Sequence, residues 1–249
     1  MNAPPPKARR GVLEPTIVAI VGVAILIGLG IWQLGRKVWK ENLIATMTAR
    51  LNRAPEALPP REDWRRLTEQ SNEFVRVTFP AEFLPGQEAL VYSAGSAVRP
   101  DVKGPGYFVF APARLAGGSI VIVNRGFVPI DRKDPQSRPQ AAPQGSIDIV
   151  GIVRWPETRG LFTPADDLKD NVWYLRDIAA MAAAKHWTNV APFYIEQESP
   201  VPPGGLPKPG KLAVNLPDNH LQYAITWFGL ALALTGVYLV WLIRRFRRY

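Results

Sequence analysis

Two uncharged apolar runs constrain this chain more than any other feature. Thr16 to Gly35 is 20 residues without a charge, and Leu221 to Ile243 is 23. At about 1.5 Å rise per residue these make helices of roughly 30 and 35 Å, enough to cross a hydrocarbon core of about 30 Å. The first run holds eleven Ile, Val and Leu residues, with Gln33 as its only strongly polar side chain. A cleaved signal peptide is the competing reading. Its apolar core runs to about 7–15 residues before a small-residue cleavage site, whereas this run is longer and continues into "WQLGRKVWK". A retained membrane span is the expectation.

The spans divide the chain. Residues 1–15 form an N-terminal tail, 16–35 and 220–243 the transmembrane helices, 36–219 an extramembrane domain and 244–249 a basic tail. The 184-residue middle segment suffices for one core. Of the net charge of +9, the first 14 residues hold +2 and the tail from Arg244 holds +4. The +3 left on the middle domain is too little for a nucleic-acid surface. Positive residues flank both sides of the spans, and the adjacent "RRFRR" tips the balance toward cytoplasmic termini and a periplasmic domain. With no cysteine, disulfides, thiolate metal sites and thiol catalysis are excluded.

The middle domain reads as short strands punctuated by Gly, Pro and Asp: "FVRVTF" (74–79), "EALVYS" (88–93), "YFVFA" (107–111), "SIVIVNRGFV" (119–128), "SIDIVGIVR" (146–154), "VWYL" (172–175) and "FYIE" (193–196). Helix is expected from Arg36 to about Arg53, continuing the first span, over 175–186, and briefly at 61–70. The fold class is therefore an α+β membrane protein, with two transmembrane helices flanking a mostly antiparallel β domain that carries a few helices. Six prolines between 200 and 217 mark an extended arm returning to the membrane. No dinucleotide fingerprint, P-loop, zincin helix or nucleophile elbow occurs, and neither His186 nor His220 lies near a nucleophile signature. The reading is a protein that is not an enzyme, with an unrecognised hydrolase or transferase as the weakest alternative.

Four motifs then occur in order between the spans: "GIWQLGRKVWK" (30–40), "VNRGFVP" (123–129), "GIVRWPETRGLFTPADDLKDNVWYLRD" (151–177) and "NHLQYAITWFGLAL" (219–232). Together with the topology they resemble the Surfeit-locus (Shy-like) family of cytochrome c oxidase assembly proteins, from about Leu29 to Leu242. Phe127 stands where that family usually has Trp. The resemblance implies a chaperone of respiratory-chain biogenesis that aids delivery of haem a to oxidase subunit I, with haem A synthase as a second partner. The alternative is a scaffold for oxidase subunits that binds no cofactor. The short tail before the first span leaves no room for a mitochondrial transit peptide, so a bacterial inner-membrane member is expected.

Seven residues are candidate site residues. Trp32, Arg36 and Trp39 share a helix face where the first span ends. They form either an aromatic belt against membrane lipid or an arginine held between indoles for an anionic group such as a haem propionate. In "VNRGFV", Asn124 and Gly126 allow a bulge that re-aims Arg125, as a structural turn or a partner-binding arginine. His220 falls in the first turn of the second span, where the positive helix end disfavours a further positive charge. Asn219 and Gln222 fit a capping box there. Tyr223 and Trp227 follow on the same face, so His220 is either a ligand for haem iron beside an aromatic wall or an interfacial residue. Ala24, Gly28, Gly229 and Ala233 have the spacing by which spans approach closely, which would set Trp32 and Arg36 opposite His220 and Tyr223. Ile178, Met181, Ala182, Trp173 and Tyr174 read as core, and His186 as structural.

Overall fold

A computed structural model describes residues 11–96, 99–138, 145–213 and 218–247. Residues 1–10, the end of the proline-rich arm at 214–217, and Arg248 lie outside the described residues. The chain divides into two compact units, residues 1–45 with 217–249, and residues 46–216.

The first unit is an antiparallel helix pair. Helix α1 runs Leu13–Leu51 without a break, so the first span and the helix expected to follow it are one element. Helix α4 is His220–Phe246, and both are long and apolar enough to cross a membrane. The interface differs from the one the small-residue spacing suggested. A Cβ added at Gly28 or Gly229 would meet nothing within 4 Å, whereas Gly22 faces Leu234 and Gly30 faces the Phe228 ring. The close approach therefore uses Gly22 and Gly30 against a face that buries Ala224 and Ala231. Ala24 and Ala233 are exposed. With the half-buried Trp227, Leu234, Tyr238 and Trp241, Ala224 and Ala231 recur along α4 at steps of three and four, which places them on one face of the helix. At one end Thr16 Oγ1 and Tyr238 Oη lie 2.6 Å apart.

Among the described residues, the second unit is built on eight strands: β1 Glu56–Ala57, β2 Arg76–Phe83, β3 Ala89–Ser93, β4 Gly106–Arg114, β5 Ile120–Pro129, β6 Ser146–Arg154, β7 Val172–Trp173 and β8 Val190–Ser199. Five of the eight pairings are antiparallel, and the parallel ones are β1–β2, β3–β7 and β5–β8. The sheet order is β1-β2-β6-β8-β5-β4-β3-β7, and an extra pairing joins β2 to β4. That pairing closes β2, β6, β8, β5 and β4 into a ring. Alternation fills one face: Val77, Phe79, Ala81 and Phe83 of β2 pack with Val121, Val123, Ile149, Phe193 and Ile195, and Trp64 joins from a 3-10 turn at Arg61–Arg66. The other face of β4, β5 and β8 packs Phe108, Phe110, Ile122 and Tyr194 against helix α3, Ile178–Lys185. A four-residue helix α2, Glu69–Asn72, precedes β2.

Helix α3 starts later than the sequence suggested because Asp177 caps it, its side chain accepting from Ala180 N at 3.0 Å. Its buried stripe is Ile178, Met181 and Ala182, as expected. His186 closes the helix with φ 58°. Trp173 is core, but Tyr174 is not: it is 37% exposed, beside Tyr92. The strand ends at Trp173, so the next side chain turns out to solvent.

Candidate functional site

The most pointed chemistry in the helix pair is at the start of α4. His220 Nδ1 lies 2.7 Å from Gln33 Oε1 of α1, and the pair is partly buried. A carboxamide oxygen only accepts, so Nδ1 is the donor in this contact and Nε2 is the ring nitrogen it leaves unengaged. An amide within an apolar helix needs a partner, and this contact supplies it. The helix start is held differently from the expected capping box. Asn219 makes no side-chain cap, and Asp218 Oδ1 instead accepts from His220 N at 3.0 Å. The side chain one residue earlier takes the role because its carboxylate meets the positive helix end.

The other residues of this region present an open aromatic surface. Tyr223 is 55% exposed, Trp32 57% and Trp39 52%. Trp227 is half-buried. The Arg36 guanidinium lies 4.3 Å over the Trp39 ring, so arginine and indole do come together. Facing His220 is Gln33, not Trp32 or Arg36, a register one residue away from the expectation. A hollow of 400 Å³ lined by Asp218, Leu221, Gln222 and Ile225 opens on a different face of α4 from His220.

In the β domain, the expected bulge is present. Phe108 pairs with Phe127 and Phe110 with Asn124, so β5 has one residue more than β4 between those pairs. Gly126 has φ 125° there. Asn124 is drawn inward: its Oδ1 accepts from Gly126 N at 3.1 Å, and its Nδ2 donates to Glu196 at 3.0 Å. Arg125 is 3% exposed, 4.6 Å over Phe83 and 3.5 Å from Glu88, which also receives Arg138 at 2.6 Å. Burial pulls the Arg125 guanidinium down to about 10, with Arg138 adding to the effect and Glu88 opposing it. Arg125 and Glu88 line a cavity of 340 Å³ with Phe83, Leu84 and Gln87. Arg125 therefore lies at the inner wall of a pocket open to solvent, and its planar fork is oriented by charge and ring contacts.

A second buried cluster staples the proline-rich arm to the ring. Arg99, fully buried, donates to both carboxylate oxygens of Asp101, at 2.8 and 2.9 Å, and to Lys208 O at 3.2 Å. Phe127 and Lys208 exchange backbone hydrogen bonds of 3.0 and 2.8 Å. Gly210 completes the cradle, since a Cβ there would sit 2.8 Å from the Arg99 guanidinium. Nothing in the sequence marks Arg99 or Asp101 as site residues. Gln33 alone had a signal, as an amide in an apolar run.

Among the described residues, no group of three or more His, Asp or Glu side chains is placed to hold a metal ion. One unit is a closed β domain, and the other is a pair of membrane-length helices with an imidazole held by Gln33 and exposed aromatic rings. The chain belongs to the SURF1 family, whose model matches residues 20–232. It is 35% identical over 239 residues to a SURF1-like protein of Monosiga brevicollis, covering 91% of this chain and 87% of that one. It is 34% identical to a Drosophila melanogaster SURF1-like protein, covering 89% and 75%. Surfeit locus protein 1 of Homo sapiens is 34% identical over 219 residues, covering 83% and 70%.

Proposed function

We propose that this protein is an assembly factor for cytochrome c oxidase, and that it holds haem a in transit between haem A synthase and subunit I. The observation that carries this reading is the Gln33–His220 hydrogen bond, which holds the ring by Nδ1 and leaves Nε2 as the nitrogen that would give its lone pair to iron. A histidine whose other ring nitrogen is held by a hydrogen bond is the common form of a haem or metal ligand. Haem a would be cargo, with His220 as its ligand, Tyr223 and Trp227 on the same helix face, and Arg36 with Trp32 offering charge and ring surface to a propionate. The openness of this surface suits a cargo that must leave. The membrane is taken as a bacterial inner membrane with the β domain in the periplasm.

The test is the visible spectrum of detergent-solubilised protein purified from cells that make haem a. An α-band and a Soret band are expected, lost in His220→Ala and retained in the packing control Tyr223→Phe. Unchanged haem content and Soret position in the alanine form would remove the ligand role. A scaffold without cofactor is the second reading, favoured by the exposure of Trp32, Trp39 and Tyr223, rings that suit a protein surface equally well. It requires co-purifying oxidase subunits and a spectrum free of haem.

A further inference from the structure

The loop between β6 and β7 carries a β-turn midway, Gly160–Thr163, with Thr163 N donating to Gly160 O at 3.2 Å and Gly160 N to Thr163 Oγ1 at 3.0 Å. Its two central residues are Leu161 and Phe162, 98% and 97% exposed. Single exposed apolar residues are ordinary. Two adjacent large ones, wholly exposed at a tip braced from both sides, are not. The Arg159 guanidinium clamps the Pro164 carbonyl and the Asp166 carboxylate, while Asp166 Oδ1 also accepts from Tyr174 N at 2.9 Å. Asp167 and Val172 exchange backbone hydrogen bonds of 2.8 Å, and Glu157 pairs with Arg176 at the base. The tip is thus ordered before it meets anything, so little freedom remains to be lost on contact.

We propose that the Leu161–Phe162 tip inserts into an apolar pocket, rimmed with lysine or arginine, on a partner protein. The charges of the loop select a protein over a lipid surface. With Glu157 paired to Arg176 and Arg159 to Asp166, the flanking charges are Asp167, Lys169 and Asp170, a net −1. A loop that docks on anionic lipid surrounds its apolar tip with lysine and arginine directed at the headgroups. Here the arginine next to the tip in sequence is turned into the clamp, and the same loop exposes Asp167 and Asp170, which complements a basic rim. Under the oxidase reading the partner is subunit I, and that identification rests on that reading.

The experiment uses the full chain in detergent and purified oxidase subunit I. The double variant Leu161→Ser, Phe162→Ser is expected to bind at least tenfold more weakly with an unchanged unfolding temperature. Asp170→Lys is expected to bind several-fold more weakly, and wild-type affinity to fall with salt. Wild-type binding that the double variant retains in full overturns the tip and leaves the oxidase reading standing. Absence of wild-type binding overturns both together. Full binding by Asp170→Lys removes the basic rim. A photoreactive benzoylphenylalanine in place of Phe162 is expected to capture subunit I in cells. An adduct with lipid or with a second copy of this chain overturns the assignment.

Discussion

Gly126→Ala tests how the proline-rich arm is fastened to the ring. The glycine has φ 125°, and a Cβ there would lie 2.2 Å from the carbonyl carbon and oxygen of Lys208 and 2.4 Å from Pro209 N. Backbone in that region costs a residue with a side chain about 1–3 kcal/mol. The contact cannot be relieved by a rotamer, because the opposing atoms are main chain. The arm must withdraw, and the hydrogen bonds of 3.0 and 2.8 Å between Phe127 and Lys208 go with it. At about 0.5–1.5 kcal/mol net each they add about 1–3 kcal/mol. The loss of about 2–6 kcal/mol compares with about 5–15 kcal/mol for a whole domain. For a unit of this size it corresponds to a fall of about 5–20 °C in unfolding temperature. Tryptophan fluorescence in detergent would follow it, since Trp64, Trp173 and Trp187 are all buried in the domain. Trypsin at Lys211 gives a second readout, because a released arm is cut faster. Gly86→Ala is the control: φ is 71° but a Cβ meets nothing within 4 Å, so it carries strain without collision. If Gly126→Ala lowers the unfolding temperature no further than Gly86→Ala, the close approach of arm and ring is refuted.

Three further outcomes are expected. Hydrogen bonds from Arg99 foremost, and then from Lys208, hold the Asp101 carboxyl well below the usual carboxylate range. A value lower in the folded state stabilises above the unfolded value of about 3.9 and fades as pH falls toward the folded one. The stability gap between wild type and Asp101→Asn should then be constant from about pH 5 to 7 and shrink in denaturant titrations below about pH 4; a gap that widens on acidification would refute it. Arg36→Lys keeps the charge but loses the planar fork over Trp39, so oxidase assembly should fall, and full assembly would leave only a lipid belt. An alkaline phosphatase fused after Arg247 should be inactive and one inserted at the exposed Gly117 turn active, the reverse pattern overturning the orientation.

Local physics was the legible part of this molecule. The spans follow from uninterrupted apolar residues, and the longer strands from β-branched runs whose alternate positions need burial, as in Val77, Phe79, Ala81 and Phe83. The β5 bulge was legible because Asn124 and Gly126 tolerate the backbone it needs. Ring closure was not, since Glu82–Phe83 against Ala113–Arg114 is one short pairing that any sheet edge could have offered. The helix register was misjudged for a related reason. Small residues occur on every face of both spans, and only the packing of Phe228 on Gly30 and Leu234 on Gly22 shows which face meets. His220 was legible as an oddity and Gln33 as another; their meeting across 187 positions was not.

The order of strands around the ring has a consequence for synthesis. Among the described residues β8 is the last strand made, yet it lies between β5 and β6, pairing with both. As the chain leaves the ribosome, β5 and β6 each wait with an open hydrogen-bonding edge until Ser199 has emerged. Through that interval the apolar faces of Val121, Val123, Ile149 and Val153 lack their cover of Phe193 and Ile195, the condition in which strands pair wrongly or with other chains. A chain interrupted anywhere before β8 would therefore be left not with a smaller domain but with an unclosed one, and misassembly rather than partial function is the fate its topology prescribes.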